Sequence, residues 1–268
     1  MKNYPLFSFF ILLFFIPLIV NSQELLAQED VTNRFSMSFS GGAAIPIGSY
    51  ACDDADQSAT YEDTKQWVIG FSKNTCGFAK TGVYYNINFK YYLTKHFYFF
   101  LQGGQLINTI QTNTMDDYLS EYFQFPTTVA HDDVNVFYIT PGIGYSLTKG
   151  PFEIGFNVYT GYAQSNYPYY IATIEYLLSP HYWGHRGEQP NLNTLAFGAG
   201  ITLMYHLSAK FEIGIESSYF NAGFDYTITN DWYPGGSWGY DFNDTMLVQT
   251  FNTGLKVTIN INGSLKQL

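Results

Sequence analysis

Alternation of apolar and polar positions organises most of this chain. Phe97, Phe99 and Leu101 alternate with polar or small residues, as do Phe152, Ile154 and Phe156, and again Phe211, Ile213 and Ile215. Each run is preceded by a second alternating run, such as Ile87, Phe89, Tyr91 and Leu93. The link between the two is short and repeats a motif: Tyr91-Tyr92-Leu93-Thr94, Tyr145-Ser146-Leu147-Thr148 and Tyr205-His206-Leu207-Ser208, each followed by a lysine and then a phenylalanine. Two alternating runs joined by about two to four residues predict a β-hairpin. Leu93, Leu147 and Leu207 are spaced by 54 and 60 residues, so the chain repeats one hairpin plus one long polar excursion.

The pattern predicts eight strands, roughly 34–47, 81–94, 97–110, 134–147, 152–165, 193–207, 211–226 and 246–260. Each exceeds the 9–11 residues that a tilted strand needs to cross a bilayer. Four excursions, about 49–80, 111–133, 166–192 and 227–245, lie at one end and three tight turns at the other. This is the layout of an all-β, eight-stranded antiparallel transmembrane β-barrel with short periplasmic turns and long extracellular loops. Pro141 interrupts the fourth strand and predicts a local bulge.

Parity assigns the faces. Only the apolar set can face lipid, because a charge at mid-bilayer costs several kcal/mol. The inward set then contains Lys90, Glu153, Glu212, Glu216 and Lys256. These predict a lumen network of ion pairs and hydrogen bonds, with inward glycines and alanines leaving room for the long side chains.

The N-terminus supports export. Lys2, an apolar run from Leu6 to Val20, and Asn21-Ser22 predict a signal peptide over 1–22, cleaved after Ser22, with Ala27 as the alternative. Aromatic residues make up 19% of the chain and charged residues 13%. That composition suits strands with one face in lipid. The formal charge of −10 opposes binding to nucleic acid.

The last strand carries the most specific motif. Asn252-Thr253-Gly254-Leu255-Lys256-Val257-Thr258-Ile259 runs polar, any, Gly, any, any, apolar, any, apolar. With the hairpin repeat and the leader, it resembles the small outer-membrane barrels of the OmpA/OmpX type, and more closely the PorT-like outer-membrane β-barrel proteins of Bacteroidota. The resemblance implies integral residence in the outer membrane of a Gram-negative bacterium. It also implies contact with membrane lipid and lipopolysaccharide, and recognition of Asn252, Gly254, Val257 and Ile259 by the barrel-insertion machinery. The chain departs from the commonest ending by lacking a terminal Phe or Trp and continuing through a short tail, 261–268.

Candidate chemistry lies in the excursions. Cys52 and Cys76 predict a disulfide in an oxidising compartment; a link closing about 25 residues contributes roughly 3 kcal/mol. Asp53, Asp54, Asp56, Glu62 and Asp63 match no calcium-loop spacing and read as a solvated acidic loop, as do Asp116, Asp117 and Glu121, and His131-Asp132-Asp133. His181 and His185 have the spacing of a zinc pair only on a helix. Tyr182, Trp183, Trp232, Tyr233 and Trp238 are candidate loop contacts for a protein partner of the envelope. His206, Ser208 and Glu212 superficially resemble the set used by outer-membrane lipid A deacylases, but they sit at the periplasmic turn, away from the outer leaflet. The sequence therefore reads as a structural or binding barrel with no catalytic residues, metal or cofactor. A barrel enzyme and a narrow channel or secretion component are the alternatives.

Overall fold

The computed structural model describes residues 35–61, 69–177, 179–187, 191–233 and 241–261. Thirteen strands appear among them: β1 (Phe35–Pro46), β2 (Ala59–Tyr61), β3 (Ile69–Phe71), β4 (Gly82–Tyr92), β5 (Phe97–Asn108), β6 (Thr127–His131), β7 (Val134–Lys149), β8 (Phe152–Ser165), β9 (Tyr170–Glu175), β10 (Pro180–Gly187), β11 (Leu192–His206), β12 (Phe211–Tyr233) and β13 (Asp241–Asn260). Eight of them close a barrel in the order β11-β8-β7-β5-β4-β1-β13-β12, with β11 pairing back onto β12. The seam between first and last barrel strands is antiparallel, from Ser36 opposite Asn260 to Pro46 opposite Thr250.

The repeated turn motif has a local cause. Thr94 Oγ1 accepts from the backbone N–H groups of His96 (3.3 Å) and Phe97 (3.0 Å). Ser208 Oγ accepts in the same way from Lys210 (3.3 Å) and Phe211 (3.2 Å). A hydroxyl at this position satisfies backbone donors that the ladder leaves over. The middle turn solves the problem differently: Lys149 pairs with Phe152, and Gly150 between them has φ +60°, a conformation that favours glycine.

Outside, the barrel is apolar. Phe39, Ile87, Phe99, Ile143, Ile154, Leu203, Ile213 and Val257 all point away from the lumen and are exposed. A closed ladder with an apolar outer wall leaves no open sheet edge to the lipid, as a membrane-spanning sheet requires.

Three sequence expectations need correction. The register of β7 on β8 is the same on both sides of Pro141, so no residue is inserted and no bulge forms. Instead, positions 140 and 141 lack partners on that side, while Pro141 still faces Leu101 of β5. The seventh and eighth strands are longer than 211–226 and 246–260, because their pairing continues to Thr229 opposite Asp241. The excursions are not simple loops. β12 leaves β11 after Ala222 and pairs with β10 from Ile228 to Tyr233; β10 pairs with β9, and β9 with β6. The barrel sheet thus runs on into a folded cap.

Sidedness is testable by labelling. With the native disulfide left oxidised, a cysteine at Glu175, exposed on the cap, is expected to react with an impermeant maleimide on intact cells, and one at Thr148 is not. The reverse pattern would invert the barrel.

Candidate functional site: a filled lumen beneath a folded cap

The periplasmic half of the lumen is polar. Lys256 Nζ contacts Glu216 Oε2, and Glu216 Oε1 accepts from Asn86 Nδ2 (3.2 Å) and Ser40 Oγ (3.3 Å). Lys90 Nζ lies 4.0 Å from Glu153 Oε1 and 4.6 Å from the centroid of the Tyr98 ring. Glu212 Oε1 meets His206 Nδ1 at 3.1 Å and accepts from Asn260 Nδ2 at 2.8 Å. All five charged residues named from the sequence are buried here. Their direct contacts fall into three groups. Two ammonium groups face three carboxylates, and His206 sits against the third. Strand parity places His206 inward with Met204 and Thr202, so the signal for it was present in the sequence.

The extracellular half of the lumen is different. Leu106, Val136, Ala163, Ala196, Phe220, Ala222, Phe224, Met246 and Val248 are fully buried. Aromatic rings link the two halves: Tyr98 beside Lys90, then Phe100, Tyr138 and Tyr159, with Phe100 and Tyr159 packed edge to face at 6.5 Å. Inward glycines receive these rings. A Cβ on Gly144 would lie 2.1 Å from Tyr98 Cζ, and one on Gly198 would lie 2.3 Å from Tyr159 Cζ. The bore is a packed core, as eight strands allow.

The cap has its own core. Cys52 and Cys76 are joined by a disulfide, their Cα atoms 4.6 Å apart. Around it pack Phe71, Phe78, Met115, Leu119, Val129, Tyr170 and Trp183, drawn from all three of the first excursions. A helix, Asn113–Phe123, covers the outer edge of β6. Its Asp116 Oδ1 accepts from Val129 N–H (2.6 Å) and its Ser120 Oγ from Thr127 N–H (2.8 Å). Two free ladder donors of an edge strand are thereby blocked. Burial pushes the Asp116 carboxyl up, opposed by the bond from Val129 and reinforced by neighbouring Asp117.

Lys73 joins the cap to the long hairpin of β12 and β13. Its backbone N–H donates to Asp244 Oδ2 (2.8 Å), while Ser72 Oγ donates to Asp244 Oδ1 (3.1 Å) and Tyr226 OH to Oδ2 (2.7 Å). Its Nζ is 3.0 Å from His131 Nε2 and lies over the rings of Phe78 (5.2 Å) and Tyr170 (5.9 Å). The residue is 1% exposed. Burial lowers its pKa from about 10.5 to about 7, with Asp244 acting in the opposite direction. Sequence reasoning missed this residue, since a lysine in a polar excursion reads as solvated.

The proposed loop contacts separate. Tyr182 is 39% exposed, but Trp183 is 3% exposed and spends its surface on the cap core, packing edge to face on Tyr170 at 5.9 Å. It is therefore not a surface contact. The side chains of Trp232 and Tyr233, and all of Trp238, lie outside the described residues. His181 and His185 both belong to extended β10, where four residues span roughly 13 Å. The helical spacing that a zinc pair requires is not present. Among the described residues, no three His, Cys, Asp or Glu side chains are grouped to hold a metal ion. Asp54 caps a short helix, accepting from Gln57 N–H at 3.1 Å.

The residues of the C-terminal strand motif line the barrel seam. Asn252 is buried, Val257 faces outward, and Gly254 lies directly opposite Gly42. A Cβ on Gly254 would lie 2.2 Å from Gly41 O and 2.7 Å from Gly42 Cα. Residues 262–268 of the tail and the leader lie outside the described residues.

A closed eight-stranded antiparallel barrel with an apolar wall, a packed bore and short turns at one end defines an integral outer-membrane β-barrel. No protein-family model matches the sequence. No curated protein matches it either. Among solved structures, the chain is similar to surface protein A of Neisseria (NspA), at 10% identity and TM-score 0.42, over 85% of this chain and 96% of that one. It is also similar to the outer membrane protein OprG of Pseudomonas aeruginosa, at 12% identity and TM-score 0.43, over 86% and 100%. A third similar structure is Ail, the attachment invasion locus protein of Yersinia pestis, at 12% identity and TM-score 0.38, over 85% and 99%.

Proposed function

We propose that this protein is a non-enzymatic barrel that holds a folded cap outside the cell, serving as a binding or structural subunit of the envelope. The observation that carries this reading is the division of labour in the fold: the bore is filled by buried side chains, while the excursions build a second, disulfide-linked core above it. Binding residues are commonly carried by loops held on a rigid scaffold. In this reading, residues 1–22 are removed on export, the cut falling after Ser22 or Ala27. The insertion machinery reads β13 through Asn252, Gly254, Val257 and Ile259, and lipopolysaccharide surrounds the outer wall. The candidate contacts are Tyr182 and the aromatic residues Trp232, Tyr233 and Trp238; Lys90, Glu153, Glu212, Glu216 and Lys256 hold the bore closed.

The turn chemistry speaks against a barrel enzyme built on His206, Ser208 and Glu212. Ser208 Oγ is engaged by two backbone donors of its own turn, and His206 Nδ1 is engaged by Glu212.

Purified protein in planar bilayers is expected to show no stable conductance. Replacing 166–192 and 227–245 by short Gly-Ser links is expected to leave a heat-modifiable barrel but to release any partner that co-purifies with the full chain in mild detergent. Reproducible conductance steps would replace this reading with a channel. A partner retained after both replacements would move the contact to the turns or the wall.

A further inference from the structure

Among the described residues, and with Lys80 as the exception, the exposed charges of this barrel are sorted by side. Each of the three short turns contributes one exposed lysine: Lys95, Lys149 and Lys210. Among the described residues, no exposed Asp or Glu lies at that end, since Glu153 and Glu212 are buried in the bore. The opposite end carries exposed Asp53, Asp56, Asp117, Glu121, Asp132 and Glu175. In a chain with 22 acidic and 12 basic residues, an all-basic set of turns runs against composition.

The height of these lysines is fixed by their neighbours. Directly above them on the outer wall are paired aromatic rings, Phe97 against Tyr145 at 4.9 Å and Phe152 against Tyr205 at 5.2 Å, with Phe211 exposed beside the third turn. Aromatic rings of this kind settle at the membrane–water interface. A lysine one to three residues beyond such a ring reaches the headgroup layer with its ammonium, while its methylene stem lies along apolar surface.

We propose that Lys95, Lys149 and Lys210 form a basic rim that binds the phosphates of anionic phospholipids in the inner leaflet of the outer membrane. The occupant follows from the geometry: the ring of turns surrounds the bore at the level of that leaflet's headgroups, and the lysines are distributed around the rim rather than gathered into one pocket. Such an arrangement suits several separate lipid molecules and no single ligand. This inference is independent of the binding role assigned to the cap.

The experiment uses the full mature protein in nanodiscs of equimolar phosphatidylglycerol and phosphatidylcholine, with the lipids it retains counted by native mass spectrometry. An exposed lysine at an anionic surface gives a preference of about fivefold at low salt. The wild type is therefore expected to retain phosphatidylglycerol several-fold over phosphatidylcholine. The triple variant K95Q/K149Q/K210Q is expected to bring the ratio near one, and K95R/K149R/K210R to keep it. Lys80, exposed on the extracellular side, supplies the control, and K80Q is expected to leave the ratio unchanged. Heat-modifiability confirms that each variant is folded. A wild-type ratio near one, or a ratio untouched by the triple glutamine change, would overturn the proposal. Retention on isolated peptidoglycan that the triple change abolishes, without any lipid preference, would assign the rim to a cell-wall carboxylate instead.

Discussion

Replacing Lys73 by methionine is expected to stabilise the cap, by on the order of 3 kcal/mol, although it removes a contact with His131 and two with aromatic rings. The fall of the Lys73 pKa from about 10.5 to about 7 means that the folded cap disfavours the charged ammonium by several kcal/mol, at about 1.4 kcal/mol per pH unit, and methionine of similar length brings no charge to bury. The sign of the accompanying pH dependence follows from the lowered pKa. Below pH about 7, Lys73 is protonated in the folded and the unfolded cap alike, and the cost of burying the charge is fully present. Between about 7 and its ordinary value near 10.5, the unfolded chain holds a proton that the folded cap does not, so stability rises with pH. The limiting slope is about 1.4 kcal/mol per pH unit. Hydrogen exchange of the cap amides, corrected for intrinsic rates, measures it. Wild-type protection is expected to grow from pH 7 to pH 10. The methionine variant is expected to start higher and to lose the part of the slope that Lys73 supplies. Lower protection in that variant at pH 7 would show that the amine earns its place through the His131 contact.

The second large effect lies at the barrel seam. Gly42 and Gly254 face each other where the first and last strands meet, and a Cβ on Gly254 would come within 2.7 Å of backbone atoms on both Gly41 and Gly42. Neither neighbour has a side chain to move aside, so the strands themselves must separate. G254A is expected to cost more than about 4 kcal/mol and to deplete the heat-modifiable folded form. G103A supplies the comparison: the same change in a barrel strand, with its nearest neighbour at 3.8 Å, is expected to be tolerated. Equal yields of folded protein from the two variants would remove the steric account. The glycine of the assembly motif then has a structural reason beside any recognition by insertion machinery, because closure brings two backbones together there.

The eight spanning strands were legible because both signals that define them are local. Side-chain alternation reads directly from neighbouring residues, and Thr94 and Ser208 mark turns whose bonds reach only two and three residues ahead. The five charged bore residues followed from parity. Their grouping did not, since pairing Lys90 with Glu153 requires knowing which strands lie across the bore. The cap was illegible for the same reason. Phe71, Met115, Val129, Tyr170 and Trp183 come from three excursions far apart in sequence, and strands as short as β6 carry too few residues to show a period. Trp183 was misplaced because an aromatic residue in a polar segment looks like a contact until its neighbours are known. The bulge expected at Pro141 failed because only one of its two ladders opens.

The hairpin of β12 and β13 is also a mast. β12 is 23 residues long and begins at a periplasmic turn, yet roughly 11 residues suffice to cross the bilayer. The remainder, at about 3.3 Å per residue, adds roughly 40 Å of strand; tilted at about 40°, it rises roughly 30 Å above the lipid. β10, β9 and β6 hang from that upper portion, and the helix Asn113–Phe123 closes the row. The strands that this hairpin carries are therefore held outward from the lipid, while the disulfide-linked base of the cap stays tied to the barrel mouth through Ile47 and Gln249.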